Sequence, residues 1–433
     1  NWAGQMTANN LLYDTASGAV TLASTPNWDA ACGLTGGNCT ATNATDVTPL
    51  APSNRIILSW NDTQGVAFAW PAASSASTLT EAQMIALSDN SAKANGQNRL
   101  DYLRGERSKE QSNTGGFFRT RASVLGDIIN SSPTWVGPPM APYPSSSLAV
   151  TTSWKDNLFP TKTLPENASG ASTYSTFQNS AGTRQNVVYV GSNDGMLHGF
   201  RTGYYNAAGD YVGNDACKPN DGAETIAYVP AAIIKTIHSN SNVGLDFSSP
   251  NYGHTYSIDA TAGSGDVFYG NNWHTWLIGG LGYGGQALYA LDVTNPSSDN
   301  FTENNASSLV KGEWGYSADI SSIWNNLGKT FGTPQVRRFH NGQWGAVFGN
   351  GYCFRTSNSP ATSNDGTCQS SSTGRAGLYV MLLDPTTGAP SFKFIDTGNG
   401  TTAKPNGIGY VTPVDLDDDH ITDYVYAGDL LGN

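Results

Sequence analysis

Five aspartates crowd into nine residues near the end of the chain: Asp415, Asp417, Asp418, Asp419 and Asp423, within the stretch VDLDDDHITDYVYAGD (414–429). Counted from Asp415, carboxylates fall at positions 1, 3, 5 and 9 (Asp415, Asp417, Asp419 and Asp423), and the backbone carbonyl of Ile421 falls at position 7. A chain that curls round a hard cation presents alternate side chains inward, and this is the ligand order of an EF-hand-type calcium loop. Ca²⁺ accepts about six to eight oxygens at roughly 2.3–2.6 Å, whereas Mg²⁺ demands a stricter octahedron, so calcium is the expected ion. Three features depart from the standard loop: position 12 lacks a glutamate, no helix follows, and position 6, usually Gly, is His420. Histidine is among the side chains enriched at positive φ, so the sharp turn is feasible at some cost. Asp418, at position 4, is expected to point outward and add charge without adding a ligand. The competing reading is a solvated acidic turn. Repulsion argues against it, because carboxylates held within several ångströms of one another destabilise a fold unless a cation or protons neutralise them.

Other chemistries find less support. The six histidines (198, 238, 254, 274, 340 and 420) show neither HExxH nor i, i+4 metal spacing, and no GxSxG elbow occurs. His254 and His274 read as buried hydrogen-bonding residues of strands. The run GGLGYGG (279–285) contains a GxGxxG-like spacing. No amphipathic helix follows to meet a pyrophosphate, so its glycines read as turn formers. Scattered acids could pair as glycosidase carboxylates, but sequence does not place them at the required separation. The nearest tripeptide to an integrin motif is Arg104-Gly105-Glu106, which lacks the aspartate.

The elements that must position the loop are β-strands. Only 13% of the 433 residues are charged, aromatics reach 11%, and Gly, Asn, Ser and Thr abound, a balance suited to short strands joined by tight turns. The length allows one large all-β core or two to three ordinary domains. With 34 Asp plus Glu against 22 Lys plus Arg, the net charge of -12 repels phosphate backbones and anionic lipid. No nucleic-acid partner is expected. No apolar run approaches the roughly 18 residues of a membrane-spanning helix, and NWAGQMTANN is no signal peptide, so the chain reads as a processed piece that is not membrane-spanning. Cys32 with Cys39 and Cys353 with Cys368 would each close a short loop, leaving Cys217 unpaired. This favours two disulfides and an oxidising compartment over five inert thiols.

Residues 1–123 read as a β-rich N-terminal segment with short helices and a linker. RIILSW and GVAFAW alternate as strands; LTEAQMIAL carries a capping box on Thr80 and Gln83 with a Leu79–Met84 staple; NRLDYLRG is a second short helix; and ERSKEQSNTGG reads as an exposed linker. Residues 124–433 read as a propeller domain. Strand candidates are VVYV, ETIAYV, GHTYSI, GDVFY, TWLIGG, ALYALDV, GAVFGN, GLYVMLL and DYVYAGD. Several share one format, an apolar strand, a Gly-rich turn and a second strand: VVYVGSNDGMLHGFRTG (187–203), WLIGGLGYGGQALYALDVTNP (276–296), AVFGNGY…GLYVMLLDPTTG (346–388) and YVYAGDLLGN (424–433). Repeated hairpins of this kind are the mark of propeller blades, since one small sheet cannot bury both faces until neighbours stack on it.

LDYLRGERSKEQ, FRTRASVLGDIINSSPTWVGPP, VVYVGSNDGMLHGF, YGHTYSIDATAGSGDVFYG, WLIGGLGYGGQALYALDVTNP, FGNGY and VDLDDDHITDYVYAGDLLGN together resemble the C-terminal region of the PilY-type tip-associated adhesins of type IV pili. The likeness spans residues 98–433, and more loosely the first 75. It implies an all-β, quinoprotein-dehydrogenase-like modified β-propeller with a calcium loop in one blade. It also implies secretion to the pilus tip, cell surface or outer-membrane exterior, in a protein that supports pilus biogenesis, surface attachment and twitching motility. Pilins and a host or abiotic surface are the implied partners. The calcium ligands carry over to Asp415, Asp417, Asp419 and Asp423 with the Ile421 carbonyl. Relatives often begin with a von Willebrand A-like domain, but no DxSxS motif occurs here, and GDLLGN ends where relatives continue with further blades, so an incomplete propeller is expected. The rival classes are a quinoprotein dehydrogenase, which VVYVGSNDGMLHGFRTG also resembles, and a lectin-like propeller. The chain has one convincing copy of the dehydrogenase repeat and no adjacent Cys-Cys pair, so a non-enzymatic protein is expected.

Overall fold

At three of the four places where the strand–Gly turn–strand format occurs, it forms an antiparallel hairpin: Val187–Gly191 with Leu197–Arg201, Asn272–Gly280 with Leu288–Asp292, and Trp344–Gly349 with Gly377–Leu383. In the fourth, Tyr424–Asp429 pairs backward with Ile408–Val414. The computed structural model describes residues 2–37, 48–144, 154–316, 322–352 and 373–433. The chain divides into two compact units.

The first unit comprises Asn1–Gly137, Arg184–Ile258 and Pro296–Ser307. Its main sheet contains four antiparallel neighbours, Thr134–Val136, Val187–Gly191, Leu197–Arg201 and Glu224–Val229, in chain order, as in a propeller blade. Ile57–Trp60 adds to this sheet parallel to Glu224–Val229, and Gly65–Ala67 pairs with Ile57–Trp60 antiparallel. Two strands of the expected N-terminal segment are thus hydrogen-bonded into a sheet of the 124–433 region.

The short helix Glu81–Ala86 begins as its sequence dictates. Thr80 Oγ1 accepts from Gln83 N at 3.2 Å while Gln83 Oε1 accepts from Thr80 N at 2.9 Å, and Leu79 and Met84 are both buried. Replacing Thr80 by Ala is expected to lower unfolding free energy by about 1 kcal/mol, read from the urea midpoint; an unchanged midpoint would contradict the cap's contribution. The second helix, Gly96–Leu103, ends before Gly105, whose φ of +113° sits in the region that favours glycine.

The second unit comprises Pro138–Thr183, Asp259–Asn295 and Ser308–Asn433. It holds two four-stranded antiparallel meanders, Gly263–Tyr269 to Val310–Trp314 and Gln335–Arg338 to Pro390–Asp396, and the two-stranded sheet that carries the acidic loop. Glycine lets these sheets approach. A Cβ on Gly263 would lie 1.9 Å from Pro334 O and one on Gly349 2.2 Å from Ile408 O, so no side chain fits at either contact. The core between them is aromatic: Trp154, Tyr174, Trp273, Trp276, Trp344, Phe348 and Tyr379 are all buried in one cluster.

Several expectations need correction. Within ERSKEQSNTGG, expected as an exposed linker, Ser108, Lys109 and residues 111–115 are exposed, but Glu110 is fully buried, accepts from Arg121 Nε at 2.8 Å, and forms an ion pair with Arg107 at 3.1 Å. The departure at Glu110 comes from Arg121, a partner outside the stretch. GHTYSI forms no strand, since His254 adopts φ +78° and its ring meets Asp127 at 2.8 Å, breaking the extended path. His274 does lie in a strand, but is only half-buried. The helix Tyr174–Ala181 was not read from sequence; Thr173 caps it, and Tyr174, Phe177 and Ala181 form its buried face. Cys32 is disulfide-bonded and Cys217 is a free, exposed thiol, while Cys39, Cys353 and Cys368 lie outside the described residues.

Candidate metal centre

The loop 415–423 joins Ile408–Val414 to Tyr424–Asp429, and Asp423 N donates to Val414 O at 3.0 Å to close its neck. Asp415 organises the turn. Its Oδ1 accepts from the backbone N–H of Asp418 at 2.8 Å and of Asp417 and Asp419 at 3.3 Å, and its Oδ2 accepts from His420 N at 2.7 Å. His420 takes the positive φ expected of position 6, at +66°, and Asp418 takes one as well, at +61°. Two left-handed residues on either side of Asp419 fold the chain tightly enough to bring alternate carboxylates to one side.

Asp415, Asp417 and Asp419 converge: one carboxylate oxygen from each lies within 4.8 Å of the others. Ligands at roughly 2.3–2.6 Å from a shared calcium ion stand no more than about 5 Å apart, so this hard-oxygen donor set fits the ion. Asp417 is exposed, Asp415 half-buried and Asp419 buried at 8% exposure, so the group opens to solvent on one side. Asp418 is exposed, and its carboxylate also comes within the same reach of Asp415 and His420.

Asp423 belongs to neither group. Its Oδ2 accepts from Leu416 N at 2.6 Å and its Oδ1 lies 3.2 Å from His340 Nε2. Ile421 is fully buried and its N–H donates to Asp419 Oδ1 at 2.8 Å.

Burial pushes the Asp419 carboxyl above the usual range, and the charges of Asp417 and Asp415 push it further; N–H groups of Asn157 and Ile421 oppose the shift. The cation-free loop therefore holds an ionised Asp419 at a cost that a bound cation would offset.

Residues far away in sequence complete the surroundings. Asn157 N donates to Asp419 Oδ2 at 2.9 Å; His340 Nδ1 lies 3.0 Å from Asp156 Oδ2; and Thr422 N donates to Arg338 O at 2.9 Å. The His420 ring meets Tyr143 and Trp154 edge-on at 5.7 and 6.0 Å, anchoring the loop on the aromatic core. Sequence reasoning missed all of these. Asp156 is 184 residues from His340, and no local spacing marks the pair.

Blade-like four-stranded meanders, with a carboxylate loop set between two late strands, define a β-propeller protein bearing a candidate cation loop. The PilY1 beta-propeller domain model matches residues 125–433, and the chain belongs to that family. Type IV pilus biogenesis factor PilY1 of Pseudomonas aeruginosa strain PAK is 37% identical over 338 residues, covering 78% of this chain and 22% of that protein. A type IV pilus biogenesis factor PilY1 homolog of Xylella fastidiosa is 33% identical over 335 residues, 77% of this chain and 21% of that protein. The chain thus spans about a fifth of the length of the curated relatives it matches. The crystal structure of the Pseudomonas aeruginosa PilY1 C-terminal domain aligns with a TM-score of 0.39 at 33% identity, over 60% of this chain and 40% of that one. No helix among the described residues is long and apolar enough to cross a membrane.

Proposed function

We propose that this chain is the calcium-binding propeller of a non-enzymatic type IV pilus biogenesis factor and adhesin, acting outside the cell at the pilus tip or cell surface. Its partners are the pilins of the pilus and a host or abiotic surface, and its activity supports attachment and twitching motility. The observation that carries the reading is the convergence of Asp415, Asp417 and Asp419 in a chain of this family. Calcium neutralises the loop, fixes the hairpin it joins, and biases that blade between conformations that favour pilus extension or retraction. A ligand shifts such an equilibrium only by its differential affinity for the two states.

The test replaces Asp417 and Asp423 by Ala and follows calcium binding by titration calorimetry together with surface piliation. Lost affinity with lost piliation is expected. Unchanged affinity would remove the site, and lost affinity with normal piliation would remove the switch.

A further inference from the structure

The ninth-position carboxylate is the one member of the loop turned away from the others, and the reason lies outside the loop. The Asp423 side chain is 6% exposed, and both its oxygens are engaged, one by Leu416 N and the other by His340. A carboxylate offers the ring only acceptors, so that contact is made by an imidazole N–H. His340 is held in turn. Its Nδ1 faces Asp156, whose side chain is fully buried and whose Oδ1 accepts from Phe159 N at 2.8 Å, and the Phe159 ring stands edge-on to the imidazole at 5.5 Å. His340 follows the strand Gln335–Arg338, and Lys162 Nζ donates to its carbonyl. The ring is thus fixed from three sides with an N–H aimed at Asp423.

Resting on the reading of the loop as a calcium site, we propose that His340 is a positioning residue that holds Asp423 back from the cation and so sets a lowered calcium affinity. Binding with Asp423 as a ligand exchanges the His340 N–H for the ion. The affinity is then reduced by the strength of that contact, and Asp156 serves to aim the ring.

The test is calcium titration of the full 433-residue chain, stripped with chelator, as wild type, His340→Ala, Asp423→Ala and the double variant. His340→Ala is expected to bind calcium roughly tenfold more tightly, the lower end of one hydrogen bond to a charged group. Asp423→Ala is expected to bind more weakly, and His340→Ala to add nothing in that background. General structural damage would weaken binding, so a gain that vanishes with Asp423 has no merely structural explanation. If His340→Ala fails to fold, His340→Gln, which keeps one N–H donor, is expected to give a smaller gain of the same sign, again absent without Asp423. Unchanged or weaker binding by the folded variant overturns the proposal. So does a gain that persists in Asp423→Ala, which would trace the effect to the uncovered charge of Asp156. A wild-type chain that takes no calcium overturns the loop reading itself, whereas a wild type that binds with no gain in the variant overturns this proposal alone.

Discussion

Replacing Glu224 by Ala is expected to cost about 3–5 kcal/mol of unfolding free energy. The Glu224 side chain is 1% exposed and accepts from Arg55 Nε at 2.6 Å and Nη2 at 2.8 Å, with His198 Nδ1 2.7 Å from its Oε1. His198 Nε2 in turn faces Asp194 at 3.1 Å, and Arg55 also donates to Arg104 O at 2.7 Å. Removing the central carboxylate leaves a guanidinium buried with a single charge partner at longer range, and an imidazole with only Asp194. The penalty comes from uncompensated burial and exceeds what the pair adds when intact.

The same network predicts a pH dependence. Burial opposes the His198 imidazolium, but the charge and hydrogen bonding of Asp194 and Glu224 outweigh it and raise the group to about 9. A folded-state value raised above the ordinary one contributes stability that is complete below about 6.5 and is lost as pH rises through about 9. At the other end, burial opposes the Glu224 carboxylate, yet Arg55 and His198 hold it at about 2. That stability is present above the ordinary value of 4.5 and is lost as pH falls through about 2. Urea melts followed by hydrogen exchange in Glu224–Val229 should show wild-type stability falling between pH 7 and 9.5, with the alkaline slope flattened in Glu224→Ala. A loss under about 1 kcal/mol in the variant would contradict this account.

The second large effect is in the acidic loop. Asp415 accepts four backbone N–H groups and also belongs to the converging carboxylates, so Asp415→Ala removes a ligand and the scaffold of the turn together. Wild type in calcium at a hundred times its dissociation constant should gain about 2.7 kcal/mol over the chelated protein. Asp415→Ala should lose that increment entirely and also melt lower in chelator, by about 1–3 kcal/mol for the hydrogen bonds to its carboxylate that the turn loses. Asp417 is exposed and has no such scaffold role among its described contacts. Asp417→Ala should lose most of the calcium increment while melting like wild type in chelator. Differential scanning calorimetry with and without calcium separates the two variants, and equal calcium responses in both and in wild type would refute the assignment.

The period-two patterns and Gly turns that mark strands are local, and they were legible: Gly377–Leu383 spans the predicted GLYVMLL, and Tyr424–Asp429 the predicted strand after the loop. The capping box at Thr80 and Gln83 was legible for the same reason, since both partners lie within one helical turn. Spacing likewise gave the convergence of Asp415, Asp417 and Asp419 and the positive φ of His420. What escaped depends on pairs far apart in sequence. Glu110 reads as part of an exposed linker because nothing local shows that Arg121 folds back onto it. His198 carries no metal spacing, and its partner Glu224 becomes visible only when Leu197–Arg201 pairs with Glu224–Val229. Asp423 has the right position number, but His340, 83 residues away, turns it from the group. Local rules thus gave the loop's path, and tertiary contacts decide which way its last carboxylate faces.

The most direct measurement is anomalous difference density from crystals of the chain grown in calcium. A single peak is predicted among the carboxylates of Asp415, Asp417 and Asp419, at roughly 2.3–2.6 Å from their oxygens. Density for these side chains spread into solvent, with no peak between them, would contradict the account.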